Sequence, residues 1–327
     1  MSILLDVLWL CIGFVLLIKG ADFFVDGSAG VARLFKVPGV IIGLTIVAMG
    51  TSAPELAVSV SAALSGSNAI AVSNVVGSNI FNLLAVLGIC AIMREIPIDT
   101  EIKKRSYPVC LAVSLIVFVL GGNLVFSGKA GSFHDMNTEA GSLFRWNGIV
   151  LVLLFAIYII YTIYMAKKNK TEEEEEKKIP VWKCILFILI GLAAIVGGGQ
   201  LVVDHAKSLA IAWGMSETLV GLTIVAIGTS LPELVTSVVA SSKGENGMAI
   251  GNVVGSNIFN LLLILGVSGT IHPIVISMAS FVDLGMLLGV SLIAYMFVCT
   301  GKKISRWEGG ALIFMYVIYM GYSIWRG

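Results

Sequence analysis

The sequence predicts an all-α polytopic membrane protein of ten transmembrane helices arranged as two inverted five-helix repeats, and three observations predict it. Of the 327 residues, 57% are hydrophobic and only 13% are charged, against roughly 25% charged in a soluble domain. Ten predominantly apolar stretches approach the length of about 20 helical residues that the hydrocarbon core demands. One stretch, Gly43 to Gly88, returns without a gap at Gly221 to Gly266, each residue 178 positions further on. Roughly two-thirds of the paired positions are identical, far more than two independent apolar segments share by composition.

In chain order the spans are expected near 3–32, 40–64, 69–93, 106–126, 147–166, 181–203, 217–241, 247–271, 279–299 and 308–325. The first opens the chain as MSILLDVLWLCIGFVLLIKG, without a basic leader or a small-residue cleavage site, so it reads as a retained span and not as a secretion signal. It carries Lys19, Asp22 and Asp26 along one helical face. These charges are expected to pair with each other or to mark the membrane boundary, with a role in ion access as the alternative. In the register of the duplication Asp26 falls on Asp204, at the end of the sixth span, so the repeat extends over at least three spans of each half. The polar, glycine-containing stretch 127–145 reads as an ordinary external loop.

Domain boundaries follow from the same pattern. Residues 1–166 form the first five-span repeat, with its core copy at about 40–93; residues 181–327 form the second, with its copy at about 217–271. Between them, 167–180 is a charged linker containing Glu172 to Glu176, and consecutive acids in an apolar-poor tract make a solvated connector, not a shaped calcium cage.

Lysine and arginine counts in alternate loops orient the chain. One side holds Arg33, Lys36, Arg94, Lys103, Lys104, Arg105, the lysines between 167 and 183, Lys243, Lys302, Lys303 and Arg306; the other holds Lys129, Arg145, Lys207 and Arg326. The first side, with the linker, is expected to be cytoplasmic in a plasma membrane, and both termini then lie outside. An odd number of spans separates the start of one copy from the start of the other, so the copies cross in opposite directions. Equivalent residues of such a pair meet near the bilayer centre.

Each copy places a single acid, Glu55 or Glu233, in an otherwise apolar or hydroxylic run. The preceding residues are Gly50-Thr51-Ser52-Ala53-Pro54 and Gly228-Thr229-Ser230-Leu231-Pro232. Proline removes a donor and pushes the preceding turn open, so each span is expected to break there and to free carbonyls near Ala48 and Ala226. Irregular backbone at membrane depth is tolerated only where it lines protein or a water-filled cavity. The next span of each copy supplies Asn-Val-Val-Gly-Ser-Asn-Ile-Phe-Asn, at Asn74 to Asn82 and Asn252 to Asn260, which sets Ser78 with Asn82, and Ser256 with Asn260, on one helical face. Asparagine and serine also glue helices together. The carboxylates beside them favour an all-oxygen cage for a hard cation, Ca2+ or Na+, over a zinc or copper site.

At these residues the chain resembles the cation/calcium exchanger superfamily, whose two alpha-repeats carry GTSxPE and GSNxxN or GSNxxD motifs, and most of all a compact prokaryotic sodium/calcium exchanger. The resemblance implies cation-binding roles for Thr51, Ser52, Glu55, Ser78, Asn82, Thr229, Ser230, Glu233, Ser256 and Asn260, and for the carbonyls of Ala48 and Ala226. Several relatives have aspartate where this chain has Asn260. The function implied is secondary-active antiport of Na+ for Ca2+ by alternating access at one shared midplane site. No cofactor is expected; the ions and the bilayer are the only partners named.

Other classes fit less well. H+/Ca2+ or Mn2+ exchange is the nearest alternative, because a carboxylate can carry a proton in place of a cation, and K+-dependent Na+/Ca2+ exchange is another. A channel usually assembles a pore from parallel subunits, not from inverted halves of one chain. An enzyme is not expected: no HExxH or phosphate-binding loop occurs, and His134, His205 and His272 all fall near loops. The single cysteines Cys11, Cys90, Cys110, Cys184 and Cys299 suggest neither disulfides nor zinc. A net charge of +1 gives no hint of nucleic acid.

Overall fold

The computed structural model describes residues 3–66, 68–130, 135–168, 180–215 and 226–326. Among them seven helices are long and apolar enough to cross a membrane: α1 (Ile3–Phe35), α4 (Ile70–Met93), α5 (Ile102–Gly121), α6 (Arg145–Lys168), α7 (Val181–Ala212), α9 (Asn246–Ile271) and α10 (Met278–Thr300). An eighth span is counted if α2 (Gly39–Thr51) and α3 (Ala53–Leu64), bent by 48° at Ser52, are taken as one. Its counterpart in the second half is described from the short turn Ala226–Gly228 through α8 (Leu231–Ser242). The beginning of the expected 217–241 span and most of the expected 167–180 linker lie outside the described residues. The chain closes with α11 (Arg306–Arg326), whose length suits a span but whose glycines, tyrosines and tryptophans dilute its hydropathy.

Local sequence explains several boundaries. Ser277 caps α10, its hydroxyl accepting the Ser280 amide at 3.2 Å. Ser305 and Glu308 form a capping box at the start of α11: Glu308 Oε2 accepts the Ser305 amide at 2.7 Å, and Ser305 Oγ accepts the Glu308 amide at 3.3 Å. Pro54 and Pro232 each stand in the first turn of the helix that follows a break, where a missing N–H costs nothing.

Helices α4 and α9 form the centre, 83% and 89% buried, whereas α1, α6 and α7 keep most of their apolar surface outward at 22 to 28% buried. Close backbone approach builds this centre. A Cβ at Gly251 of α9 would stand 2.5 Å from the Val40 carbonyl oxygen and 3.1 Å from Gly43 Cα, so α2 lies directly on α9. Outside it, α1 and α7 run antiparallel with contacts from Gly13 opposite Gly198 to Gly27 opposite Cys184, and a Cβ at Gly191 would meet Phe24 N at 2.5 Å.

Two short strand pairs bind the halves. β1 (Ile96–Pro97), after α4, pairs antiparallel with β4 (Lys303–Ile304); β2 (Glu139–Leu143) pairs with β3 (Ile274–Ser277), after α9. β3 enters α10 and β4 leaves it, so Ile96 and its repeat equivalent Ile274 lie at opposite ends of a helix about 35 Å long at 1.5 Å per residue. The α4 and α9 C-termini therefore emerge on opposite faces. The stretch 127–145 is thus more than a loop: β2 buries Ala140 and Leu143 and satisfies its backbone on β3, a long-range pairing that turn composition does not announce.

The charges of the first span are taken up in ion pairs. Lys243, after α8, reaches Asp26 at 2.7 Å and Asp22 at 3.4 Å, and Lys19 lies 3.5 Å from Asp22. Gly191→Ala is expected to destabilise the protein by about 1–3 kcal/mol through overpacking against α1. Gly197→Ala, facing open space on the same helix, should not. Thermal unfolding of both variants in detergent, followed by tryptophan fluorescence, checks the contrast.

Candidate functional site

The bend at Ser52 and the turn at Ser230 bring the two duplicated segments face to face. Ser52 Oγ, from the first copy, donates to Glu233 Oε1 of the second at 2.7 Å; Ser230 Oγ, from the second, donates to Glu55 Oε1 of the first at 3.2 Å. Thr51 Oγ1 donates to Asn252 Oδ1 at 3.1 Å, and Thr229 Oγ1 to Asn74 Oδ1 at 3.3 Å. The Asn79 amide group donates to the Asn257 carbonyl at 3.2 Å, and the Asn257 group returns the bond to the Asn79 carbonyl at 3.3 Å. Reciprocal bonds of this kind are what a self-complementary, two-fold-like contact produces.

The helix after each break completes the cluster. Ser78 Oγ donates to Glu55 Oε1 at 3.4 Å and lies 2.9 Å from Ser230 Oγ. The Asn260 amide nitrogen donates to Ser78 Oγ at 3.3 Å and to Asn79 Oδ1 at 2.9 Å, while that of Asn82 donates to Asn257 Oδ1 at 3.4 Å. Ser256 Oγ donates more weakly to Asn252 Oδ1 at 3.5 Å. Asn82 and Asn260 each open a π-helical turn, Asn82–Val86 and Asn260–Ile264, and Gly43–Val47 is a third just before the first break. Such turns shift the helix register locally and recur at functional sites.

Thr51, Ser52, Glu55, Asn82, Ser230, Glu233, Ser256 and Asn260 are fully inaccessible, and Ser78 nearly so. Thr229 is half-buried, and Ala226 opens the short turn that leads to it. The expected release of the Ala48 carbonyl needs correction: it accepts the Ser52 amide at 3.1 Å and the Thr51 hydroxyl at 3.4 Å. The chain bends after Ser52, one residue too late to strip Ala48 of its amide donor, and the cap's amides close on Ala48 and Gly50.

Within this network four buried oxygens have no hydrogen-bond partner: Glu55 Oε2, Glu233 Oε2, Asn82 Oδ1 and Asn260 Oδ1. Leaving a buried polar atom unmet costs about 1–3 kcal/mol, more when it is charged. Carboxylate and amide oxygens only accept unless the acid is protonated. They come as two repeat-related pairs, and what they fit is a hard cation held by oxygen alone. Histidine and cysteine take no part; no group of three or more His, Cys, Asp or Glu side chains poised to hold a metal occurs among the described residues.

The motif spacing overlooks Asn74, Asn252, Asn79 and Asn257, which carry much of the cross-copy bonding. A signal for the first two was present: Asn74, Ser78 and Asn82 follow one another at four-residue steps, as do Asn252, Ser256 and Asn260.

Comparison with known proteins places the chain in a family. The family profile described as "Sodium/calcium exchanger protein" matches residues 5–164 and 183–325. The chain is 38% identical to the "Putative antiporter CaxA" of Alkalimonas amylolytica, over 97% of this chain and 98% of that one. It is 33% identical to the sodium/calcium exchanger MaX1 of Methanosarcina acetivorans, again over 97% and 98%. A solved structure of the sodium-calcium exchanger NCX_Mj, soaked with Na+ and Ca2+, superposes with a TM-score of 0.82 at 32% identity, covering 98% of this chain and 99% of that one. The chain belongs to the sodium/calcium exchanger family.

Proposed function

We propose that the protein exchanges Na+ for Ca2+ across the membrane by alternating access at the oxygen cluster centred on Glu55 and Glu233. The observation that carries this reading is the set of four buried, partnerless acceptor oxygens drawn in matched pairs from both copies. Two carboxylates balance one Ca2+. Na+ ions compete for the same oxygens, and because one set of ligands serves both ions, binding of one requires release of the other. Glu55, Glu233, Asn82 and Asn260 supply the free oxygens; Ser52, Ser78 and Ser230 orient the carboxylates, Thr51 and Thr229 tie the breaks to the helices behind them, and Ser256 steadies Asn252 on its own helix. The Ala226 carbonyl joins as a ligand, whereas that of Ala48, already met by two donors, does not.

The architecture proposed with it is ten spans in two inverted five-helix repeats, 1–166 and 181–327, joined by a cytoplasmic linker at 167–180, with both termini on the outer side of the cell membrane. The reciprocal hydrogen bonds and the placement of β1 and β3 at opposite ends of α10 support the inversion. Alternating access then has α1 and α7, the first and sixth spans, moving against a fixed core of the two duplicated segments, so that the shared site opens to either side in turn. Proton-coupled exchange of Ca2+ or Mn2+ is the second reading, supported by the same two carboxylates, each able to carry a proton in place of a shared cation.

Purified protein in Na+-loaded liposomes should take up Ca2+ under an outward Na+ gradient. Uptake under an H+ gradient alone would establish the second reading, and equilibration without any gradient would make the protein a channel. Glu55→Gln and Glu233→Gln should each abolish uptake while the variants still purify as folded protein; wild-type flux in either would remove the shared site. Asn260→Asp adds a carboxylate to the cluster and should alter ion preference or the Na+ dependence of Ca2+ uptake, read as a changed ratio of the two half-saturation concentrations. Deleting Glu172 to Glu176 should leave uptake unchanged.

A further inference from the structure

Asn74 and Asn252 do a job that neither the carboxylates nor the hydroxyls do. The Asn74 amide nitrogen donates to the Glu55 backbone carbonyl at 3.3 Å and to Ser59 Oγ at 3.0 Å, both on α3 of the first copy. Its oxygen accepts from Thr229 Oγ1 at the break of the second copy. Asn252 repeats the pattern: its nitrogen donates to the Glu233 carbonyl at 3.4 Å and Ser237 Oγ at 2.9 Å on α8, and its oxygen accepts from Thr51 Oγ1 at the break of the first copy. The orientation of each side chain follows from chemistry. A backbone carbonyl only accepts, so the NH2 end must face it, and this turns the oxygen toward the threonine hydroxyl.

From this pattern, resting on the exchange reading above, we infer that Asn74 and Asn252 are positioning residues that lock each carboxylate-bearing helix to the opposite copy's break. Every asparagine holds the backbone of one copy's glutamate with one end and the other copy's hydroxyl with the other. The two halves of the cation site are thereby set as a unit: a shift of Thr229 away from Asn74 unmoors the helix that carries Glu55, although Thr229 belongs to the other repeat. Asparagine suits the position because it offers donor and acceptor on a short stem; leucine of similar size offers neither, and aspartate would lose both donor bonds.

The test is a pair of double-mutant cycles on the Ca2+ half-saturation concentration, KM, in the liposome assay. Thr229→Val strands the half-buried Asn74 oxygen, and Asn74→Leu strands the buried Ser59 hydroxyl together with that of Thr229; each is expected to raise KM by up to about tenfold. Because they remove one bond between them, the double variant should be little worse than the poorer single one. Thr229→Val combined with Asn252→Leu, which share no bond, should multiply. Thr229→Ser keeps the donor and should restore a KM near wild type, which a merely structural loss at this position would not predict. Should Asn74→Leu fail to fold, the same cycle is run with Thr51→Val and Asn252→Asp, and coupling there is expected while multiplication overturns the inference. Multiplying effects in the bonded pair, or singles that leave KM unchanged, also overturn it. If wild-type protein shows no Na+-driven uptake at all, the exchange reading has failed instead.

Discussion

Everything in this structure answers to one constraint: two carboxylates are buried in an apolar bundle and must be met by the chain itself. On insertion scales an acid at the centre of a membrane helix costs roughly 2.5–3.5 kcal/mol. The cost is offset by hydroxyls donated across the repeat boundary, Ser52 to Glu233 and Ser230 to Glu55. Each acid therefore takes a hydroxyl donor from the other copy, and Glu55 takes a longer one from Ser78 of its own. The same arrangement leaves one oxygen of each carboxyl group without a partner, the oxygen that the proposed cation would meet. A site that was fully satisfied by protein would have nothing with which to bind one.

Close packing is the means by which the donors arrive. α2 reaches its place because Gly43 and Gly251 let two backbones touch, and this carries Thr51 to within 3.1 Å of Asn252. A side chain at either glycine would separate the helices and break the network with them. The contrast in burial follows: α4 and α9, which present the asparagines, are enclosed, while α1 and α7 pack chiefly on each other through their own glycines.

Much of the site was legible before the fold was known because the duplication repeats its chemistry. Glu55 and Glu233, with their threonines and serines, stand out as polar islands at matched positions, and the four-residue steps of the following helix pick out Ser78, Asn82, Ser256 and Asn260. Asn74 and Asn252 were visible at the same steps but had no evident partner, since their bonds run to residues of the opposite copy. The Ala48 carbonyl keeps its donor for a local reason: the N–H that Pro54 lacks would have met Gly50, four residues back, whereas Ala48 is met by the Ser52 amide.

The duplicated motifs, the lengths of the apolar runs and the chemistry of their polar residues are properties of neighbours along the chain, and the sequence by itself determined them. It determined that the protein is helical and membrane-embedded, that it has two related halves, and which residues carry oxygen into the lipid-free interior. Tertiary structure alone decided which oxygen meets which. The crossed pairing of serine with glutamate and threonine with asparagine, the strand pairs at the two ends of α10, and the capture of Asp22 and Asp26 by Lys243 all join segments far apart in the chain. Helical periodicity fixes the direction of a side chain around its own axis, but its partner is set by how the helices dock.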